Sequence, residues 1–201
     1  MFDGRLRQMI DPPLDRMGHR LAAAGLTADQ VTIAGFLVGM LAGLAIANQL
    51  YLLGLLLLGA GRIADGLDGA VARATTKTDR GGFLDIVLDF FFYGAIPAAF
   101  AIANPAANAL PAALLLLSFY MNGSAFLGFA VMAAKRGIET EAQGQKSLYY
   151  LTGLAEGAET IAMFALACIF PAAFPWLAYL FAAICGVSAL ARVVIGWRAL
   201  G

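Results

Sequence analysis

The stretch Arg62-Ile-Ala-Asp65-Gly-Leu-Asp68-Gly69-Ala-Val-Ala72-Arg73, closely followed by Gly81-Gly-Phe-Leu-Asp85-Ile-Val-Leu-Asp89, sets four carboxylates into otherwise apolar sequence. An ionised carboxylate at membrane depth costs roughly 2.5 kcal/mol or more. Four together demand cations or a wet cavity. Asp65 and Asp68 are three residues apart and share one helix face; Asp85 and Asp89 are four apart and share another. A tight turn over 74–82 folds the two helices antiparallel, so the four side chains converge. Clustered carboxylate oxygens suit a hard cation, Mg2+ or Mn2+, which also binds substrate phosphates. Gly66, Gly69 and Ala72 leave room for a ligand beside the acids, and Arg73 supplies a fixed positive charge suited to phosphate.

The rest of the chain supplies the membrane. Of 201 residues, 61% are hydrophobic and only 13% charged, against about 25% charged in soluble domains. A soluble protein of this size has no interior large enough for that apolar surface, so the excess faces lipid. Six stretches approach the ~20 residues that cross a bilayer: 31–48, 51–72, 83–103, 109–134, 149–170 and 174–198. Backbone groups in hydrocarbon pair internally, so these are helices. The expected fold is an all-α integral membrane protein of six transmembrane helices over 31–201. It is preceded by an N-terminal juxtamembrane segment over 1–30.

Within that segment Leu14, Met17 and Leu21 recur at helical spacing, with Arg16 and Arg20 on another face. A short amphipathic helix over 12–25 is expected, opened by Pro12-Pro13 and closed near Gly25. The charged start carries Asp3, Asp11 and Asp15 and does not read as a signal peptide. All 13 Lys and Arg avoid the connections 48–50, 104–108 and 171–175, which places both termini and the charged loops in the cytoplasm. Gly35, Gly39 and Gly43 on the first span allow helices to approach closely.

Other chemistries find little support. A formal net charge of zero argues against nucleic acid as a partner. Cys168 and Cys185 lie in apolar runs without zinc spacing. His19 is the sole histidine and sits in the basic N-terminal region, which disfavours a His-based triad.

The order Asp65-x2-Asp68-Gly69-x2-Ala72-Arg73-x7-Gly81-x3-Asp85-x3-Asp89 resembles the signature of the CDP-alcohol phosphotransferases at every defined position. The resemblance implies transfer of a phosphatidyl-type group from a CDP-linked lipid, such as CDP-diacylglycerol, to an alcohol, with CMP leaving. It implies Asp65, Asp68 and Asp85 as metal ligands. Asp89 becomes the general base with a further contact to the metal. The nucleotide contacts would be Asp65, Asp68, Gly69, Ala72, Arg73 and Gly81. Family members pair into homodimers, and the same is implied here. The family's Pro-Asn-x-x-Thr opening is replaced by Ala28-Asp29-Gln30-Val31-Thr32, so Asp29 and Thr32 are left outside the site.

The acceptor pocket is expected beside the metal, with Lys135, Arg136, Lys146, Glu156 and Arg192 as candidate polar groups and Glu159 close behind. Members that make inositol-phosphate lipids resemble one another in an arginine-rich stretch where this chain reads Glu156-Gly157-Ala158-Glu159-Thr160, which argues against that acceptor. Two alternatives stay open at the level of sequence: a membrane prenyltransferase that binds a diphosphate through Mg2+, and a divalent-cation transporter. The former spaces its aspartates differently, and the latter usually sets its ionisable groups near the midplane.

Overall fold

A computed structural model describes residues 2–137 and 157–201. The described residues form seven α-helices: α1 Phe2–Ala23, α2 Ala28–Ala47, α3 Tyr51–Ala74, α4 Asp79–Ala103, α5 Pro105–Lys135, α6 Gly157–Ile169 and α7 Phe174–Leu200. A short 3-10 turn, Pro171–Ala173, leads into α7.

Local chemistry sets the boundaries. Gly25 takes the left-handed φ of +85° that closes α1. A reciprocal capping box opens α2: the Gln30 amide donates to Thr27 Oγ1 at 3.3 Å, and the Thr27 amide donates to Gln30 Oε1 at 3.0 Å. Thr78 caps α4, accepting from the Gly81 amide at 3.0 Å. Asn104 caps α5 with Pro105 at its first turn. At the opposite face of the bundle, the Gln49 amide side chain donates to the Ala103 carbonyl at 3.0 Å and ties the α2–α3 turn to the end of α4.

Among the described residues, four helices are long and apolar enough to cross a bilayer: α2, α4, α5 and the segment Pro171–Leu200. At 24 residues α3 is also long enough, but Arg62, Asp65 and Asp68 interrupt its apolar run. The remaining expected span, 149–170, falls partly outside the described residues, and its described part is the 13-residue α6. The outer surface is apolar, with Leu52, Phe83 and Trp197 exposed by 71%, 68% and 82%. In water such a surface would drive aggregation; in a bilayer it is the ordinary lipid face.

The N-terminal helix differs from expectation. It runs unbroken from Phe2, with Pro12 and Pro13 inside it. Proline's fixed φ is itself helical, and the pair leaves α1 without two of its amide donors. The helix packs against α3: a Cβ on Gly18 would lie 2.6 Å from the Ala70 Cβ, and one on Gly66 would lie 2.8 Å from Leu14 Cδ1.

Small residues also close the α2–α3 interface. A Cβ on Gly35 would meet the Ala64 Cβ at 3.0 Å, and one on Gly61 would meet the Gly39 amide nitrogen at 3.3 Å. The aromatic core occupies the far half of the bundle. Phe100 stacks on Phe174 at 4.4 Å, and Phe164 meets Phe92, Tyr93 and Phe119 at 6.4 Å each. The acidic half of α3 and α4 lies at the other end, beside the loop 75–78.

Candidate active site

The α3–α4 pair brings three of the four aspartates together. Single carboxylate oxygens of Asp65, Asp68 and Asp85 all lie within 4.8 Å of one another. Ligands on opposite sides of a Mg2+ ion stand about 4.2 Å apart, given metal–oxygen distances near 2.1 Å. The three carboxylates are thus close to the spread at which they would hold one cation. Asp68 supplies a second sign: the residue is 7% exposed, and its Oδ2 is buried without a hydrogen-bond partner among the described residues. An orphaned anionic oxygen at such depth is costly, and a cation would satisfy it. The donor set fits a hard divalent ion.

Asp89 stands outside that trio. Its Oδ1 accepts from Arg62 Nη1 at 2.9 Å, while Arg62 Nη2 lies 3.4 Å from Asp65 Oδ1. The guanidinium is seated 4.1 Å over the Phe92 ring. Arg62 thus bridges the metal-type cluster to Asp89 and fixes the direction of both carboxylates. The sequence offers a signal for it, an arginine three residues before an aspartate within an apolar helix, though the motif does not include it. Replacement by leucine leaves two carboxylates facing each other with no internal cation. Removing one member of a fully buried pair costs about 3–5 kcal/mol. The Asp65 and Asp89 side chains remain about one-third exposed, so Arg62→Leu is expected to cost roughly 2–3 kcal/mol. Thermal unfolding in detergent should show Tm lowered by about 5–10 °C; an unchanged Tm would contradict the bridging role.

Next to the trio opens a cleft of about 720 Å³. Asp68, Gly69, Ala72, Arg73, Gly81 and Asp85 line it, while Asp65 and Asp89 do not. Gly81 is small for a reason, because a Cβ there would lie 3.0 Å from Asp29 Oδ1 and 3.1 Å from Thr78 Oγ1. Arg73 is anchored by α1: its Nε and Nη2 donate to Asp15 Oδ1 at 3.1 and 2.7 Å. Asp29 and Thr32, left outside the site on sequence grounds, line the cleft as well. In the first turn of α2, Asp29 Oδ2 accepts from Arg80 Nε at 3.2 Å and Nη2 at 2.5 Å, which ties this end of the helix to the start of α4. Losing the family's proline and asparagine at this point does not move the segment out of the cleft wall.

The acceptor candidates are more dispersed. Lys135 and Arg136 end α5 and are exposed. The guanidinium of Arg192 lies 5.8 Å from the Phe126 ring, so Lys135 is nine residues, or about 13 Å, further along α5. Neither these three nor Glu159 line the cleft. Lys146 and Glu156 lie outside the described residues.

Comparison with known proteins follows this geometry. The family profile for CDP-alcohol phosphatidyltransferase matches residues 25–195. The inner membrane protein YnjF of Escherichia coli (strain K12) is 45% identical over 200 residues, covering 100% of this chain and 97% of that protein. An archaetidylinositol phosphate synthase of Pyrococcus horikoshii is 43% identical over 86 residues, 42% of this chain and 46% of its own. Among solved structures, the Mycobacterium tuberculosis phosphatidylinositol phosphate synthase (PgsA1) with CDP-DAG bound shares the fold. The TM-score is 0.71 at 21% identity, and 92% of this chain and 93% of that one are covered.

Proposed function

Because the chain belongs to the CDP-alcohol phosphatidyltransferase family, and is therefore an integral membrane enzyme moving a phosphatidyl-type group from a CDP-linked lipid to an alcohol, we propose how its residues divide that work. The carrying observation is the convergence of Asp65, Asp68 and Asp85 at the edge of a cleft floored by small residues.

Those three carboxylates hold a divalent cation, Mg2+ or Mn2+. When bound, the cation neutralises the donor's diphosphate and stabilises charge on the departing CMP. Gly69, Ala72 and Gly81 admit the nucleotide close to the backbone. Arg73, steadied by Asp15, faces the same cleft and pairs with phosphate. Asp89, held off the metal trio by Arg62, takes the proton of the acceptor hydroxyl as that oxygen attacks the phosphorus bearing the lipid. The P–O bond to CMP breaks as the new P–O bond forms. Arg62 keeps Asp89 oriented for that step.

The charged helix ends, among them Arg73, Lys135, Arg136 and Arg198, gather on one face of the bundle. The positive-inside rule assigns that face, and the cleft with it, to the cytoplasm. Family membership displaces prenyl transfer and cation transport as alternatives. The test is CMP release by the purified protein from CDP-diacylglycerol and Mg2+ with a panel of alcohols. Release that depends on one acceptor supports the reading; none with any alcohol overturns it.

A further inference from the structure

Polar atoms buried deep in an apolar bundle normally find partners close by, and most here do. Ser118 Oγ donates to the Leu115 carbonyl at 2.7 Å, and Asn108 Nδ2 donates to the Phe100 carbonyl at 2.8 Å, the usual way a buried polar side chain is satisfied against helix backbone. Besides Asp68 Oδ2, two oxygens depart from this pattern. Asn122 Oδ1 on α5 and Ser188 Oγ on α7 are both buried without a hydrogen-bond partner among the described residues. Ser188 is 1% exposed.

The two lie at one level. α5 and α7 run in parallel: Arg192 sits against Phe126, and a Cβ on Gly196 would lie 3.3 Å from Phe129 Cδ2. Ser188 stands four residues before Arg192, and Asn122 stands four residues before Phe126. Each is one helical turn away on the same facing side. That level is also the level of Asp89. On the antiparallel α4–α5 pair the rings of Tyr93 and Phe119 lie 6.5 Å apart. Asp89 is one turn from Tyr93, and Asn122 is one turn from Phe119, both toward the charged face of the bundle.

We propose that Asn122 and Ser188 form the uncharged, hydrogen-bonding wall of the acceptor subsite, positioning a polyhydroxy alcohol beside Asp89. The inference rests on the transfer reading above. One acceptor hydroxyl is consumed at Asp89. Two further oxygens then wait for donors, and both an amide oxygen and a serine oxygen accept from hydroxyl groups. A polyol, free or as its phosphate, supplies such donors. A quaternary ammonium alcohol has none beyond the reacting hydroxyl and would leave both oxygens stranded, the kind of mismatch that discriminates strongly between substrates.

The experiment measures CMP release at saturating CDP-diacylglycerol and Mg2+ while the acceptor is varied among glycerol 3-phosphate, inositol 1-phosphate, glycerol and choline. Wild-type protein is expected to turn over with at least one polyol and not with choline. Ser188→Ala, which removes a single oxygen, and Asn122→Leu are each expected to raise the polyol KM about tenfold. The KM for CDP-diacylglycerol should stay within about twofold, which a general loss of structure would not spare. Turnover by wild type with both acceptor KM values unchanged in the variants overturns this inference alone, as does a preference for choline. No CMP release by wild type with any acceptor overturns the transfer reading and the inference with it.

Discussion

Asp89→Asn is expected to lower kcat for CMP release by about 10²–10⁴-fold, the range a positioned general base contributes. The KM for CDP-diacylglycerol should change little. The argument is one of separation. Asp65, Asp68 and Asp85 share oxygens within 4.8 Å, whereas Asp89 is engaged by Arg62 at 2.9 Å and does not line the cleft. An asparagine there keeps the shape and retains an oxygen that Arg62 can bond, but it cannot take a proton. Donor binding and the cation site are left intact, so the loss should appear in kcat rather than in donor affinity. An equal loss in Mg2+ affinity would show instead that Asp89 is a metal ligand. Wild-type kcat would remove it from the chemistry altogether.

How far the sequence disclosed this arrangement depends on the range of the interactions involved. The helices were legible because a bilayer enforces length and apolarity locally. The α4 and α5 starts shifted only by the residues that Thr78 and Asn104 capture as caps. The aspartate spacing was legible because i,i+3 and i,i+4 relations on two antiparallel helices leave little geometric freedom. What stayed hidden was contact across elements distant in sequence. Asp15 meets Arg73 across 58 residues, and Asp29 meets Arg80 across 51; no periodicity encodes either. Asp29 and Thr32 were set aside because the local pattern around them departs from the family's, yet the cleft wall is fixed by where α2 starts. Pro12-Pro13 misplaced the start of α1 because proline signals a missing donor, not a forbidden φ. Asn122 and Ser188 were invisible for a related reason: a lone amide or hydroxyl in an apolar span is ordinary, and only its missing partner marks it out.

Removal of divalent cation should have the second large effect, and it should reach the fold as well as the reaction. Three carboxylates packed this closely repel one another, and among the described ion pairs only Arg62 touches the trio, through Asp65. A cation that binds the folded site and not the unfolded chain stabilises by about 2.7 kcal/mol at a concentration 100 times its Kd. For a chain of this size that corresponds to a Tm rise of about 5–10 °C. Excess EDTA is therefore expected to bring CMP release below detection and to lower Tm by a similar amount, with Mg2+ restoring both. Asp68→Asn supplies the decisive control. It replaces the most buried carboxylate of the three, keeps its volume and removes two of the three pairwise repulsions that the ion relieves. Its Tm should respond weakly to Mg2+, while Asp89→Asn should respond as wild type does. A Tm indifferent to Mg2+ in the wild-type protein would mean that the three oxygens form no cation site. A strong Mg2+ response in Asp68→Asn would place the ion elsewhere in the molecule.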